Sequence, residues 1–435
     1  MPATDIPLNP AQTPLYLSRQ IRNMERQAPG GVLMHKAGQA IAALAQQILE
    51  DNADPVLVVA GPGNNGGDAL VAALALKNRW HHVIVVLAGE PDELPADAAR
   101  AYAAWIAAGE RVLLAIPPHM RFSLAIDGLF GIGLQRPLQG EHAQLVRQIN
   151  ALPCPVLAID IPSGLHADTG QVLGCAITAT RTLTFLGRKP GLYTLGGPQH
   201  AGIVHFDALG ITPERDTPGW LIQPGILSAL PRRQLNSHKG MFGDVAVLGG
   251  SEGMTGALLL AARAALLCGS GRVYGGFLAS AAPVVDMQQP EIMLRTAAGI
   301  AELPRLNAVI IGPGLGQTAA ACELLEYWLG QPIPLLLDAD ALNLLACHAH
   351  LQEIMQARTT AGIITPHPLE AARLLACSSA EIQRDRIASA VGLARKFNAV
   401  CVLKGAGSIC AAPGGEWHIN SSGNPGLASA GTGDV

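Results

Sequence analysis

Pro55-Val-Leu-Val-Val-Ala60 runs directly into Gly61-Pro62-Gly63-Asn64-Asn65-Gly66-Gly67-Asp68, and Ala69-Leu-Val-Ala-Ala-Leu-Ala-Leu76 follows. A short apolar run, a glycine-dense turn and a stretch of helix formers predict a buried strand, a tight turn and a helix start. Four glycines in eight residues let the backbone turn sharply and approach a ligand. The new helix also offers unpaired N–H groups and the positive end of its dipole to an anion. A strand-to-helix turn can be rich in glycine and bind nothing. The two asparagines and the aspartate exceed what a turn needs and carry the functional reading, and the spacing reads as different from the usual dinucleotide fingerprint of glycines one, three and six.

The pattern repeats along the first half. His82-Val-Ile-Val-Val-Leu87, Arg111-Val-Leu-Leu-Ala115, Leu124-Ala-Ile-Asp127 and Pro155-Val-Leu-Ala-Ile-Asp160 are apolar runs separated by helical stretches. This alternation predicts a parallel sheet covered by helices on both faces, with ligands beyond the carboxyl ends of the strands. Upstream, Ile21, Met24, Leu33, Met34, Ala37, Ile41, Leu44 and Ile48 predict two helices on either side of Pro29-Gly30-Gly31. The β-branched stretch 176–185 and Gly202-Ile-Val-His-Phe206 are expected to complete the sheet, and Thr212-Pro-Glu-Arg-Asp-Thr-Pro-Gly219 to close the domain.

Two strands end in aspartate, Asp127-Gly128 and Asp160-Ile-Pro162-Ser163-Gly164. One such residue is ordinarily a cap or a turn former. Two beside an Asn/Asp-rich turn point to a site, in which Asn65, Asp127 and Ser163 offer oxygen ligands to a hard cation and a second carboxylate remains for acid–base work.

From residue 244 the alternation restarts. Asp244-Val-Ala-Val-Leu-Gly-Gly-Ser251 is a strand entering a glycine turn, and a helix begins after Met254. Asn307-Ala-Val-Ile-Ile311 opens into Gly312-Pro-Gly-Leu-Gly316, and Pro332-Ile-Pro-Leu-Leu-Leu-Asp338-Ala-Asp340 ends in carboxylates. Gly362-Ile-Ile-Thr365 leads to His367-Pro368, and Val400-Cys-Val-Leu403 leads to Lys404-Gly405-Ala406-Gly407-Ser408. The last segment reads as a strand-end loop for a nucleotide or as a plain β-hairpin turn. In Gly431-Thr-Gly-Asp434, small residues bring backbone N–H groups to a transferred phosphoryl group while the carboxylate takes a proton from an attacking hydroxyl. The same tail also reads as a flexible glycine-rich end. His367 alone is an ordinary turn histidine.

Composition narrows the classes. A chain of 435 residues holds two or three domains. Its 29 basic and 33 acidic residues leave a net charge of −4, with no electrostatic footprint for nucleic acid or an anionic membrane. Apolar stretches such as 256–263 meet a charge long before a span of about 20 residues, and Met1-Pro-Ala-Thr-Asp5 lacks the regions of a signal peptide. A cytoplasmic protein with a small-molecule partner is expected. The eight cysteines form no metal spacing and are expected to be reduced, buried and structural.

Taken together, Gly61 to Asp68, Ala125-Ile-Asp-Gly-Leu-Phe-Gly-Ile-Gly133, Asp160-Ile-Pro-Ser-Gly164, His238-Lys-Gly240, Gly249-Gly-Ser251, Gly312 to Gly316, His367-Pro368, Lys404-Gly405 and Gly431-Thr-Gly-Asp434 occur in a family order. From about Leu17 to Val435 the chain resembles the bifunctional NAD(P)H-hydrate repair enzymes. The resemblance implies an α/β protein, with a Rossmann-like three-layer epimerase domain over 1–215 and a ribokinase-like ADP-dependent dehydratase domain over 222–435. It implies that Asn64, Asn65, Gly66, Gly67, Asp68, Gly131, Ile132, Gly133, Leu134, Gln135, Arg136, Pro137 and Asp160 contact the hydrate in the first domain. Potassium would lie on Asn65, Asp127 and Ser163, and Asp160 would be the acid–base residue for exchange of the R and S forms. In the second domain Ala257, Gly314, His367 and Asp434 would contact the S hydrate. Lys404, Gly405, Ala406, Gly407, Ser408 and Gly433 would hold ADP with magnesium. The partners implied are hydrated NADH and NADPH (NADHX and NADPHX), ADP and further copies of the chain in a homo-oligomer.

Under that likeness hydroxide, a poor leaving group, is converted to phosphate. Asp434 deprotonates the C6 hydroxyl, the nucleotide phosphorylates it, the ring nitrogen's lone pair expels phosphate, and loss of a C5 proton restores NAD(P)H. Three departures stand out: Ala69 replaces a glycine, His35-Lys36 occupies a spot that is often acidic, and the chain stops at Val435 where relatives begin a helix. A dehydratase without that helix is expected to lose part of its phosphate cradle, and the alternative reading is that the sequence is a piece of a longer protein that supplies it. A ribokinase-like small-molecule kinase and a nucleotide-sensing protein without catalysis are the alternative readings.

Overall fold

The computed structural model describes residues 12–27, 31–49, 54–212 and 217–435. Met1 to Asp5, the break at Pro29-Gly30 and residues 213–216 of the expected domain boundary lie outside them. The chain divides into two compact units, Thr13–Leu221 and a second that holds Ile222–Val435.

The first unit opens on strand β1 (Gln12–Leu15). Its sheet consists of β2 (Val56–Ala60), β3 (Val83–Leu87), β4 (Val112–Leu113), β5 (Leu124–Gly128), β6 (Val156–Ile159), β7 (Arg181–Phe185) and β8 (Ile203–Asp207). These seven strands lie in the order β4-β3-β2-β5-β6-β7-β8, and every neighbouring pair is parallel. Alternation along β2 builds two cores. Val56, Val58 and Ala60 face the helices Val32–Leu49, Asn64–Lys77 and Ala96–Ala107, whereas Leu57 and Val59 face the helix Gly140–Asn150. A strand sandwiched in this way is apolar at every position, so the run 55–60 shows no period of two. The strand order reverses between β2 and β5, and a doubly wound sheet opens its crevice at that switch point. Ala60 pairs with Gly128 and Asp127 with Ala158, so the three strand ends that carry the polar turns are level.

After β9 (Gly219–Ile222), the second unit contains β10 (Asp244–Gly249), β11 (Arg272–Phe277), β12 (Met293–Thr296), β13 (Ala308–Ile311), β14 (Leu335–Leu337), β15 (Gly362–Ile364), β16 (Val400–Leu403), β17 (Ser408–Ala411) and β18 (Trp417–Asn420). From β12 the order runs β12-β11-β10-β13-β14-β15-β16-β17-β18. It is parallel as far as β16 and then antiparallel through β17 and β18. The direction of strand order again reverses, here between β10 and β13, and again the Gly-rich turns lie at that point.

Several expectations are corrected. Gly61, Gly63 and Gly66 do stand at the first, third and sixth positions of a dinucleotide-type turn. A Cβ on Gly61 would collide with the Leu129 carbonyl oxygen, and one on Gly66 with the Gly61 carbonyl oxygen. We expect Gly66→Ala to cost at least the 1–3 kcal/mol typical of an overpacked site, read as a lower urea midpoint. Only 181–185 of the stretch 176–185 is strand. Before it the chain crosses the sheet end, held by Asn150 Oδ1 accepting from the Thr178 N–H at 2.9 Å and Thr180 Oγ1 from the Val156 N–H at 2.7 Å. The run 111–115 shrinks to the edge strand β4. All eight cysteines are free, yet only Cys401 is buried, and Cys268 and Cys347 are exposed. Among the described residues no helix is long and apolar enough to cross a membrane.

Candidate active sites

The switch point of the first sheet holds a cavity of about 920 Å³. Asn64, Asn65 and Asp68 line it from the start of the helix Asn64–Lys77, Gly131 to Arg136 from the loop after β5, and Asp160 from the end of β6. Gly66, Gly67 and Pro137 are not in its wall. The N–H groups of Gly66 and Gly67 both reach the Gly63 carbonyl, at 3.0 and 3.2 Å, and a Cβ on Gly67 would strike Met34 and Ala98. Those two glycines let the helix start pack. Ala69 is fully buried, so the departure there is absorbed by the core. Of the His35-Lys36 pair, Lys36 donates to the Leu209 carbonyl at 2.8 Å.

Asp160 is the strained residue of the site. Its φ is +66°, and the Ile161 N–H donates to the Ile159 carbonyl at 2.8 Å across it, a γ-turn of the rare positive-φ kind. Leu186 repeats the device at the end of β7, with φ of +63°. Strain of this kind, about 1–3 kcal/mol per residue, persists where the surroundings over-determine it and gathers at functional sites. Here the surroundings include a residue that sequence reasoning missed. The Lys189 ammonium, fully buried, forms an ion pair with Asp160 Oδ1 and donates to Thr184 Oγ1 at 3.0 Å and to the Phe185 carbonyl at 2.8 Å. Glu25 also lines the cavity, and burial, followed by the charge of Asp160, pushes its carboxyl above the usual range.

Behind the wall, Asp127 is fully buried. Its Oδ1 accepts from Ser163 Oγ at 2.6 Å and the Leu129 N–H at 3.2 Å, and its Oδ2 accepts from the Ser163 N–H at 2.8 Å. Burial pushes the carboxyl to about 6, and the hydrogen bonds from Ser163 and Leu129 pull the other way. The buried Nδ2 of Asn65 has no partner among the described residues, and a half-turn of the amide would present its oxygen instead. Carboxylate, hydroxyl and amide oxygens around one loop are the donor set of a hard monovalent or divalent cation, so these residues fit potassium.

In the second unit Gly314, at φ +59°, lies against Ala257. A Cβ on it would sit 2.5 Å from the Met254 carbonyl oxygen and 3.3 Å from Ala257 Cβ. The Ser251 N–H donates to the Gly314 carbonyl at 2.7 Å, clasping the two glycine turns together. Lys404 Nζ donates to Asp338 Oδ1 at 2.7 Å and faces Gly433. Burial raises the Asp434 carboxyl, the nearby charge of Asp338 adds to this, and Lys404 opposes it. His367 is occupied as a cap. Its Nδ1 accepts from the Leu369 and Glu370 N–H groups at 3.1 and 3.2 Å, while the His367 N–H donates to Glu370 Oε2 at 2.8 Å. Burial and then the charges of Lys404 and Arg373 lower the imidazole pKa. Segment 404–407 is the turn between the antiparallel strands β16 and β17, so it is a hairpin turn facing the acidic cluster. Buried Arg386, also missed from sequence, pins it by donating to the Leu403 and Lys404 carbonyls at 3.3 Å.

Comparison with known proteins agrees with this two-part layout. Residues 30–191 match the family model for the YjeF-related protein N-terminus, and residues 245–435 match that for NAD(P)H-hydrate dehydratase. The bifunctional NAD(P)H-hydrate repair enzyme Nnr of Coxiella burnetii is 38% identical over 442 residues, covering 97% of this chain and 88% of the relative. That of Escherichia coli is 38% identical over 445 residues, covering 98% and 84%. The ADP/ATP-dependent NAD(P)H-hydrate dehydratase of Bacillus subtilis, crystallised with ATP/Mg2+, is 32% identical over 47% of this chain and 73% of that one, with a TM-score of 0.41. Two family models matched in order, and relatives of this identity covered over most of their length, mean that the chain belongs to the bifunctional NAD(P)H-hydrate repair enzymes.

Proposed function

We propose that residues 1–215 exchange the R and S forms of hydrated NADH and NADPH, and that residues 222–435 dehydrate the S form back to NAD(P)H at the expense of ADP. The observation that carries this reading is the pairing of two switch-point sites in one chain. One is a cavity closed by a strained, lysine-paired aspartate, and the other a glycine-turn edge that holds Asp434, Lys404 and Asp338 together.

In the first site Asp160 takes the proton of the C6 hydroxyl, and the loop 131–137 and Asn64 to Asp68 orient the ring. Asn65, Asp127 and Ser163 hold potassium, which when bound supplies a fixed positive charge beside the turn. In the second, Asp434 takes the hydroxyl proton, the N–H groups of Gly431 to Gly433 face the transferred phosphoryl group, and Lys404 to Ser408 seat ADP. Ala257, Gly314 and His367 shape the pocket for the S hydrate. Magnesium, when bound with the nucleotide, offsets its phosphate charge. Assembly as a homo-oligomer and residence in the cytoplasm belong to the same proposal.

Two separate readouts test it. The R hydrate incubated with potassium and no nucleotide should yield S on chiral separation. The S hydrate with ADP and magnesium should regain the reduced-nicotinamide absorbance. A stable phosphorylated product would favour the kinase reading, and silence in both assays the sensing one. Arg386→Met, which frees the hairpin turn, should raise KM for ADP by about tenfold or more with a smaller change in kcat, as expected when a group that positions substrate shifts by a fraction of an ångström. Initial rates over a nucleotide series check this.

A further inference from the structure

Of the carboxyl groups that line the cavity of the first unit, Asp160 and Asp68 are in opposite circumstances. Every hydrogen bond that Asp160 accepts through its side chain falls on Oδ1, from Lys189 Nζ, the Phe185 N–H at 3.2 Å and Thr184 Oγ1 at 3.4 Å. Oδ2 accepts none among the described residues. The three protons of the Lys189 ammonium are all spent, on Asp160, Thr184 and Phe185. Asp160 thus has one anchored oxygen and one left for substrate, and it faces a buried cation. Asp68 has neither cation nor donor, since no hydrogen bond or ion pair reaches its carboxyl among the described residues, and it lines the same cavity.

We infer that Asp68 and Asp160 work as an unequal pair in the exchange of R and S hydrates, Asp160 as the base and Asp68 as the acid, with Lys189 as the positioning residue that makes them unequal. This rests on reading the cavity as the exchange site. Burial, and after it the charges of Asp160 and Glu25, hold the Asp68 carboxyl well above the usual carboxylate range. A carboxyl that no donor or cation reaches, beside one held by a buried ammonium, is the arrangement of an acid and a base. The other charged groups facing the cavity are Arg22, Glu25 and Arg26 from the helix Ser18–Arg26, Asp97 from the helix Ala96–Ala107, and Arg136 from the loop.

The chemistry needs both partners. C6 of the hydrated ring carries a hydroxyl group and the ring nitrogen. Asp160 Oδ2 takes the hydroxyl proton as C6–O becomes a carbonyl. The C6–N1 bond breaks with its electron pair staying on nitrogen, and Asp68 delivers a proton to that nitrogen. Rotation about C5–C6 presents the other face of the aldehyde. The two transfers then run in reverse, closing the ring in the opposite configuration and returning both carboxyl groups to their starting forms.

The test measures exchange of the hydrates against pH in the full chain, with hydrate binding and thermal melting measured beside it. Asp68→Asn removes no hydrogen bond among the described residues, so it should fold. It should lower exchange by about 100-fold or more and abolish the fall in rate on the alkaline side. Lys189→Met leaves Asp160 Oδ1 without its buried partner and should lower kcat for exchange by about tenfold or more with KM for the hydrate within about threefold, as expected when a reacting group is held out of place. Exchange by Asp68→Asn within about threefold of wild type, with its alkaline limb unchanged, overturns the pair while leaving the cavity its function. A wild-type kcat in a folded Lys189→Met overturns the role of the lysine. No exchange by the wild-type chain overturns the reading of the cavity, and the pair with it.

Discussion

Asp160→Asn is expected to lower the exchange of R and S hydrates by about 10²- to 10⁴-fold, the range for loss of a positioned general base, while dehydration of supplied S hydrate continues. The same substitution should destabilise the first unit. It leaves the Lys189 ammonium fully buried without its carboxylate, and breaking a buried pair from one side costs about 3–5 kcal/mol. Activity and stability can therefore be lost together and confused. The double variant Asp160→Asn with Lys189→Met separates them. An uncharged, roughly isosteric pair should recover most of the urea midpoint, because a buried ion pair replaced on both sides is often close to neutral. Exchange should stay at the level of the single variant. A double variant that regains exchange would show that Asp160 matters through packing.

Asp434→Asn is expected to lower recovery of NADH from the S hydrate by about 10²- to 10⁴-fold with exchange unchanged, the mirror image of the first result. Its pH dependence follows from the surroundings. The Asp434 carboxyl is raised by burial and by Asp338, and Lys404 pulls it back down. A base must be ionised to act, so recovery in the wild type should fall with decreasing pH through a point above the ordinary carboxylate range. Lys404→Met removes the opposing charge and should shift that fall to higher pH. Initial rates at saturating S hydrate and ADP across the pH range measure both effects.

Much of the fold was legible because it rests on local patterns. The runs at 55–60, 82–87, 124–127 and 155–160 are strands because both faces of a parallel sheet are covered, and their polar ends mark the crevice edge. What stayed hidden depends on contacts between distant residues. Lys189 sits in Gly187-Arg188-Lys189-Pro190, which reads as a solvated basic loop. In the structure the lysine turns inward to a partner 29 residues earlier, with positive-φ turns at Asp160 and Leu186 on either side of the contact. The one sequence hint is a lysine next to proline just after a β-branched strand. Asp338 was visible as a strand-end carboxylate, but its pairing with Lys404 spans 66 residues. The segment 404–408 reads in sequence as a nucleotide loop or as a hairpin turn, and the antiparallel pairing of β16 with β17 makes 404–407 a hairpin turn. The stretch 176–185 shows the limit of β propensity, since side-chain hydrogen bonds from Asn150 and Thr180 held its first half out of the sheet.

The most direct measurement supplies the R hydrate alone, with potassium and magnesium, and follows the reduced-nicotinamide absorbance with and without ADP. Two sites working in sequence on one molecule predict recovery of NADH from R, only with ADP, and loss of that recovery in either Asp160→Asn or Asp434→Asn. Recovery from R that survives Asp160→Asn at the wild-type rate, or that needs no nucleotide, would contradict the account.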